Sequence, residues 1–503
     1  MGDRTLACTS ISCGLWDYIQ LGLVFKPYFT LTESAKMTFK SKSIVFKTDS
    51  SQRLDISYYT IEAVAYESLP IPAMTITLRE APRFFESPYR ALSMQEDDPF
   101  SMGSLLEELF LSSGPAWIRL PGLDTDHKKI ASSCLVYRIL LNKGDALDSQ
   151  LKSFSEFRGM PRWVRHHIKI YEPQESYVDD FKQLLLQLAP TATPLPFAIR
   201  FQLQRLAQNG YLPPSKVVQL LPEIKRIFSR SGQRVGVDVI RKLLLQLPFA
   251  GPDAKAAYFN LQVLEQLLRR NEEISNRDGP YFEVTGEPER VAVIHKATVT
   301  PAGIYLYGPD RESNNRVLRK YPKHHDYFLR VQFCDEDGLQ VYSNRDVSSK
   351  PLFDKFRKVL NKGFHIAGQH FSFLGFSHSS LRAQSCWFMA PFVHNGSLLY
   401  DREVIKDLGN FRHIRSPAKC AARIGQAFSD TRDAITLDPD VVKEMPDVER
   451  NGRMFSDGVG TISIEALEQI WDGLLHGEKK PTVLQIRYQG MCLVSTTARV
   501  LYA

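Results

Sequence analysis

Apolar and polar positions change their period three times along this chain. From Lys36 to Phe85 they alternate: SIVFKT, RLDISYYTIEAVAYE and MTITLRE place β-branched and aromatic residues at every second position, the pattern of half-buried antiparallel strands. Ser, Asp and Pro clusters between Glu86 and Pro115 then predict a loop or lid. Between Tyr177 and Asn271 the spacing becomes helical, in DDFKQLLLQLA, FQLQRLAQNGYL, PSKVVQLLPEIKRIF, VDVIRKLLLQL and the run after Gly251-Pro252. In that last run Ala257, Leu261, Leu264 and Leu268 share one helix face. Gly210 suits the left-handed residue that closes a helix ahead of Pro213-Pro214. Alternation returns between Val291 and Gly338, in VAVIHKATVTPAGIYLYGP and DYFLRVQF, with a basic loop between them. Further helices are expected over Ser349 to Lys362, stopped by Gly363, from Ser416-Pro417 onward, and over Ile464 to Leu475 with Ser463 as cap.

This succession predicts an α+β multidomain protein. Residues 1–175 form a β-rich N-terminal region, 176–275 a helical linker domain, 285–400 a mixed β/α region, 401–450 a helical connector and 451–503 a last β unit. A chain of 503 residues with 43% hydrophobic content can bury several cores. Its net charge of +7 favours a polyanionic partner only weakly at this length. The seven cysteines are scattered and contain no C-x-x-C pair, which reads as reduced thiols and an intracellular protein, cytoplasmic or nuclear. No basic leader precedes an apolar core, and no run of about eighteen apolar residues occurs, so neither secretion nor a membrane partner is expected. Met1-Gly2 is no myristoylation signal, because Leu6 stands where that signal needs Ser or Thr.

Charge supplies the first candidate chemistry. Between Arg311 and Arg330, Arg311, Arg316, Arg319, Lys320, Lys323 and Arg330 face only Glu312 and Asp326, which predicts a basic surface. Gly159 to Tyr171 gathers Arg162, Arg165, His166, His167 and Lys169 around Trp163 and Tyr171; this suits phosphate contact with base stacking, although a solvated strand face explains it more simply. Asp335-Glu336-Asp337-Gly338 follows a strand directly and reads as a turn in which Gly338 supplies the positive φ.

The segment Gly368 to Pro391, GQHFSFLGFSHSSLRAQSCWFMAP, fits no ordinary local template. It resembles the F-x-F-L-x-F-S-x-S-x-L-R-x-x-x-x-W-F signature of the eukaryotic cell-encoded RNA-dependent RNA polymerases of RNA silencing. Similar elements run in order along the chain: LREAPRFF with Ala81 in place of a proline, LAQNGYLPP, NRVLR, DYFLRVQF, KCAARIGQAFSDT, FSDGVGTIS and QIRYQG. The resemblance implies transfer of nucleoside monophosphates from NTPs onto RNA opposite a single-stranded RNA template, with the silencing machinery as a further partner. It also implies a mixed β/α polymerase region leading into a double-psi β-barrel. The family binds Mg²⁺ with a D-x-D-G-D loop that does not occur in these 503 residues; Asp335 to Gly338 lacks the third carboxylate, since Leu339 follows.

On this reading the chain is truncated inside the first barrel. It holds no catalytic residue and no metal ligand, and it is either part of the polymerase or a non-catalytic RNA-binding or regulatory fragment. Arg316, Arg319, Lys320, Arg330 and Arg382 are the expected RNA contacts, and Asp457 and Arg487 the expected supports of the nucleotide site. Cys492 replaces a family lysine, and after Gly490 the sequence is expected to leave the family pattern, with strand edges unpaired.

Overall fold

A computed structural model of the protein describes residues 3–19, 22–68, 70–88, 117–142, 161, 163–247, 260–279, 291–341, 345–429, 435–443, 446, 448–455, 459–472, 480–488 and 491–497. The chain opens with a long hairpin, β1 (Arg4–Ile19) and β2 (Gly22–Phe39), followed by β3 (Ser43–Thr48), β4 (Gln52–Ser57), β5 (Ile61–Glu67), β6 (Ala73–Leu78), β7 (Arg83–Glu86), β8 (Trp117–Leu120), a short helix α1 (His127–Ile130) and β9 (Val136–Leu141). Together with β10 (Trp163–Arg165), β11 (Lys169–Ile170) and the distant β15 (Val347–Ser348), they make a 12-stranded sheet in the order β10-β5-β6-β9-β1-β2-β3-β4-β7-β8-β15, with β11 beside β2. Register shifts at Cys8/Ser10 and Cys13/Gly14 bend β1. The concave core closes over Met37, Phe39, Phe46, Leu54, Ile76, Phe84 and Tyr137. Set within it, His127 lies against the rings of Phe29 and Phe84 and its Nδ1 accepts the Leu123 N–H at 3.0 Å. The Glu86 to Pro115 loop expected from the sequence lies almost wholly outside the described residues, as does Ala257.

The helical part comprises α2 (Tyr177–Gln187), α3 (Phe197–Gln208), α4 (Pro214–Gln246) and α5 (Leu261–Asp278). Its apolar stripes converge on Leu203, Leu206, Leu220, Ile224, Val239, Leu243, Leu264 and Leu268. The two helices expected around residue 230 are one element broken at Gly232, whose φ is 77° and ψ −177°. Pro213 and Pro214 both end α3's turn and begin α4, as N-cap and N1. The preceding Asn209-Gly210 pair has a physical reason. Asn209 exchanges two 2.9 Å hydrogen bonds with the Leu306 backbone, while Gly210, at φ 74°, lets Tyr211 and Leu212 both donate to the Leu206 carbonyl.

A second sheet, β13 (Ile304–Ser313), β12 (Val291–Val299), β14 (Phe328–Phe333), β18 (Ser385–Met389), β17 (Gln369–Gly375) and β16 (Phe364–Ile366), lies against that helical part. One face packs on Phe197 and Phe201 of α3 and on Leu352 and Phe356 of α6 (Lys350–Lys362). Phe371 is fully buried there, with Phe373 and Phe376 packed against the same cluster. The other face, through Ile294, Phe328, Leu374, Trp387 and Met389, meets Val317, Leu318, Val404 and Phe428.

The last of these contacts explains two sequence elements together. Helix α7 (Pro417–Gly425) approaches so closely that a Cβ on Gly425 would come within 2.5 Å of the Phe376 carbonyl, and the ring of Phe428 occupies the space a side chain at Gly375 would need. Gly425 has φ −57°, so its requirement is steric alone. Gly425→Ala should therefore cost about 1–3 kcal/mol in urea denaturation. Gly460→Ala, where nothing lies within 4 Å, should leave the midpoint nearly unchanged.

A short antiparallel pair, β21 (Glu449–Arg450) and β22 (Arg453–Met454), precedes the last described unit, a three-stranded sheet of β23 (Val459–Ile462), β25 (Met491–Thr497) and β24 (Val483–Tyr488), in that order. The segment after Gly490 forms the central strand, and β23 and β24 are the two edges of this sheet. It runs parallel to β23 from Val459↔Val494 and antiparallel to β24 from Tyr488↔Met491.

Candidate nucleic-acid interface

The basic loop folds into one turn of helix, α8 (Arg316–Lys320), for a local reason. Asn315 is buried and its Oδ1 accepts the N–H groups of Val317 and Leu318 at 3.0 and 3.1 Å. Val317 and Leu318 then enter the core, so Arg316 and Lys320 point outward and Arg319 is half-buried, with Nη1 3.4 Å from the Asn314 carbonyl. The structure thus brings Arg316, Arg319 and Lys320 together.

It also brings an acid to them that local sequence did not suggest. Asp407, on helix α9 (Asp401–Leu408), pairs with Lys320 and accepts the Tyr321 hydroxyl at 2.8 Å. Hydrogen bonds from Lys320 and Tyr321, with the nearby Arg316 charge, hold the Asp407 carboxyl below its usual range. Beside this group, His324 stacks on Phe392 at 4.5 Å between ring centres, and its Nε2 lies 3.3 Å from Nδ1 of His394.

Arg330 sits elsewhere, on β14 opposite Trp387 of β18, with its guanidinium 5.1 Å from the indole centre and Nη2 donating to Ser385 at 2.8 Å. Burial lowers its pKa. Arg382 is exposed at the end of a short helix, His378–Arg382, whose N-cap Ser377 and Ser380 form a reciprocal capping box. Asp457 lies outside the described residues. Arg487 is on β24, in register with Cys492. In the segment Gly159 to Tyr171, Trp163 is buried and His167 Nδ1 meets Glu67 at 2.8 Å, whereas Arg165, His166 and Lys169 are exposed.

The Asp335 to Gly338 segment is a turn: Gly338 has φ 72° and donates to the Asp335 carbonyl at 3.0 Å, and Asp335 donates to the Leu339 carbonyl at 2.9 Å. Its carboxylates face the first sheet. Arg83 of β7 meets Asp335 at 2.8 Å and Asp337 at 2.6 Å; Arg119 of β8 meets Asp335 at 3.1 Å and also Glu336. Glu336 Oε1 further accepts the Ala302 N–H at 3.1 Å. Burial would raise Asp335, but its hydrogen bond with Glu336 and the charges of Arg119 and Arg83 hold it well below the ordinary carboxylate range, while burial raises Glu336. These carboxylates are committed to arginines and do not fit a Mg²⁺ ion. Among the described residues no group of three His, Cys, Asp or Glu side chains could hold a metal. Sequence reasoning noted Arg83 only as part of a resemblance and missed Arg119, for which WIRL gives no local signal.

Comparison with known proteins gives two family matches. Residues 299–498 match the family model described as RNA dependent RNA polymerase, and residues 4–175 match the fungal RdRP associated PH-like domain. The first match runs past Gly490, so the family pattern continues where the sequence reading expected it to stop. The chain is 29% identical over 457 residues to "RNA-dependent RNA polymerase 1" of Arabidopsis thaliana, covering 87% of this chain and 38% of that protein. It is 34% identical over 219 residues to "RNA-dependent RNA polymerase 2" of the same plant, covering 40% of this chain and 19% of the relative. Among solved structures, the RNA dependent RNA polymerase QDE-1 from Thielavia terrestris aligns with a TM-score of 0.36 at 15% identity, over 53% of this chain and 32% of that one. The chain therefore spans well under half the length of these relatives.

Proposed function

The chain belongs to the RNA-dependent RNA polymerase family, and from that premise we propose that it takes part in copying single-stranded RNA into double-stranded RNA for RNA silencing. In this reading the substrates are an RNA template and NTPs, and the Mg²⁺ expected of the complete enzyme is held by residues other than those described. The observation that carries the reading is the tandem of a PH-like match and a polymerase match in one chain, with the basic helix α8 inside the second.

The work assigned to this chain's own residues is binding and orientation. Arg316, Arg319 and Lys320 meet RNA phosphates from one helical turn, with Asp407 fixing the direction of Lys320. Arg382 adds a separate contact. Arg330 enters with one edge of its guanidinium already committed to Ser385. Asp457 and Arg487 support the nucleotide site. No step of the transfer is routed through the Asp335 turn, whose charges are already paired. No helix among the described residues is long and apolar enough to cross a membrane.

A second reading is a non-catalytic RNA-binding or regulatory role, for which the exposed Arg316, Lys320 and Arg382 would suffice. One assay separates the two: the chain is incubated with single-stranded RNA, labelled NTPs and Mg²⁺, and both retention of RNA and labelled complementary product are measured. Product supports the polymerase reading. Retention without product supports the second, with a log–log salt slope of about −0.7 for each phosphate contact. No retention at low salt overturns both.

A further inference from the structure

Residues 409–425, GNFRHIRSPAKCAARIG, contain Arg412, Arg415, Lys419 and Arg423 and no acid. All four side chains are exposed, and no ion pair among the described residues involves any of them. They contrast with several other basic groups: Lys320 is paired with Asp407, Arg330 lies over Trp387, and Arg83 and Arg119 are held by the Asp335 turn. Lys419 and Arg423 stand one turn apart on α7, about 6 Å along its axis. Their helix cannot drift, because Gly425 and Phe428 lock its far end against Phe376 and Gly375.

An apolar face leads up to this stretch. In the hairpin of β19 (Phe392–His394) and β20 (Ser397–Leu399), Val393 and Leu398 are cross-strand partners, 61% and 49% exposed. Tyr400, two residues beyond Leu398, is 49% exposed and serves as N-cap of α9, whose other end delivers Gly409. An exposed ring at one end of α9 and unpaired cations following its other end suit a ligand that offers phosphates and unstacked bases at once. A duplex hides its base faces, and an acidic protein surface has no need of the ring.

We propose that Tyr400 and the basic stretch from Arg412 to Arg423 form a binding track for single-stranded RNA, with phosphates on the four cations and a base on Tyr400. The track deepens the RNA-copying reading above and rests on it. Its cations are other than those of α8, which packs against Gln426–Phe428 just beyond α7 and whose Lys320 charge is already partly neutralised.

The test uses the full chain and a labelled oligouridylate, with binding followed by anisotropy across a salt series. In R412E/R415E/K419E/R423E the log–log salt slope should fall by about 3 and affinity near 0.1 M salt by on the order of 100-fold. The control K36E/K128E/R270E/K358E makes the same change in net charge at exposed sites elsewhere and should keep the wild-type slope. Tyr400→Ala should weaken single-stranded binding about tenfold and leave duplex binding unchanged. R412K/R415K/R423K should retain the slope, and circular dichroism of each variant establishes that it is folded.

If wild type binds RNA and the fourfold reversal behaves like its control, the track is wrong and the RNA-copying reading stands. If wild type binds no RNA, both fall. Equal loss of duplex binding in Tyr400→Ala, or tighter binding to phosphatidylserine vesicles than to RNA, would overturn the single-stranded assignment.

Discussion

Arg119→Ala should lower the unfolding free energy by about 3–5 kcal/mol, the cost of leaving buried acids without their cation. Arg119 is 4% exposed and reaches Asp335 and Glu336 from β8, 216 and 217 residues away in sequence. Arg83, more exposed, should cost far less when truncated. Because these contacts join the first sheet to the second, the Arg119 variant should also split a single urea transition into two. The deficit should grow with pH. Burial raises the Glu336 pKa and the Arg119 charge opposes it; without Arg119 the folded state holds its proton further above the unfolded value of about 4.5, so rising pH favours unfolding more in the variant than in wild type. Urea melts at pH 5 and pH 8 measure this; a loss below 1 kcal/mol at both would show that the turn is not an anchor.

Acid should destabilise the protein before its carboxylates titrate. His127 is pushed down to about 4 by burial, and His295 to about 3 by burial and then by Arg241 and Arg205. His295 lies between Phe197 and Phe201, with Asp326 3.7 Å from Nδ1. Both imidazoles stay neutral in the folded state, while the unfolded chain takes up protons below about 6.5. Their stabilising contribution is therefore complete above that pH and is lost as pH falls toward the folded values. Two protons give a slope approaching 2.7 kcal/mol per pH unit, or about 4 kcal/mol between pH 6.5 and 4.5. His295→Leu should halve the slope, and an unchanged slope would place the acid sensitivity elsewhere.

Local chemistry was legible in the sequence where a residue's reason lies within a few positions of it. Ser416 caps the helix it begins, Gly363 stops one, and Gly338 turns a chain. The β1–β2 hairpin was not anticipated, because the alternation there is interrupted by bulges and β1 is buried on both faces from Gly14 to Tyr18 apart from short breaks upstream. Gly425 and Phe428 were visible as a resemblance, but their purpose needs Phe376 and Gly375 across the sheet. The anchors of the candidate site were invisible for the same reason: Asp407 finds Tyr321 86 residues away, and Arg119 reads locally as one more strand residue. A partner that distant leaves no period in the chain.

Helix α3 is buried on almost every side, and its polar side chains spend donors on backbone both before and long after it in the chain. Arg200 holds the carbonyls of Leu188 and Leu195 and also that of Ala367, Gln202 reaches Gly308, and Asn209 pairs with Leu306. During synthesis the later acceptors emerge up to 167 residues after the donors. At ribosomal rates the helix waits about 10–30 s before its last bond can form. Until then the nascent helical segment carries an apolar flank and unpaired donors together, which makes this interval the one in which a chaperone has most to protect.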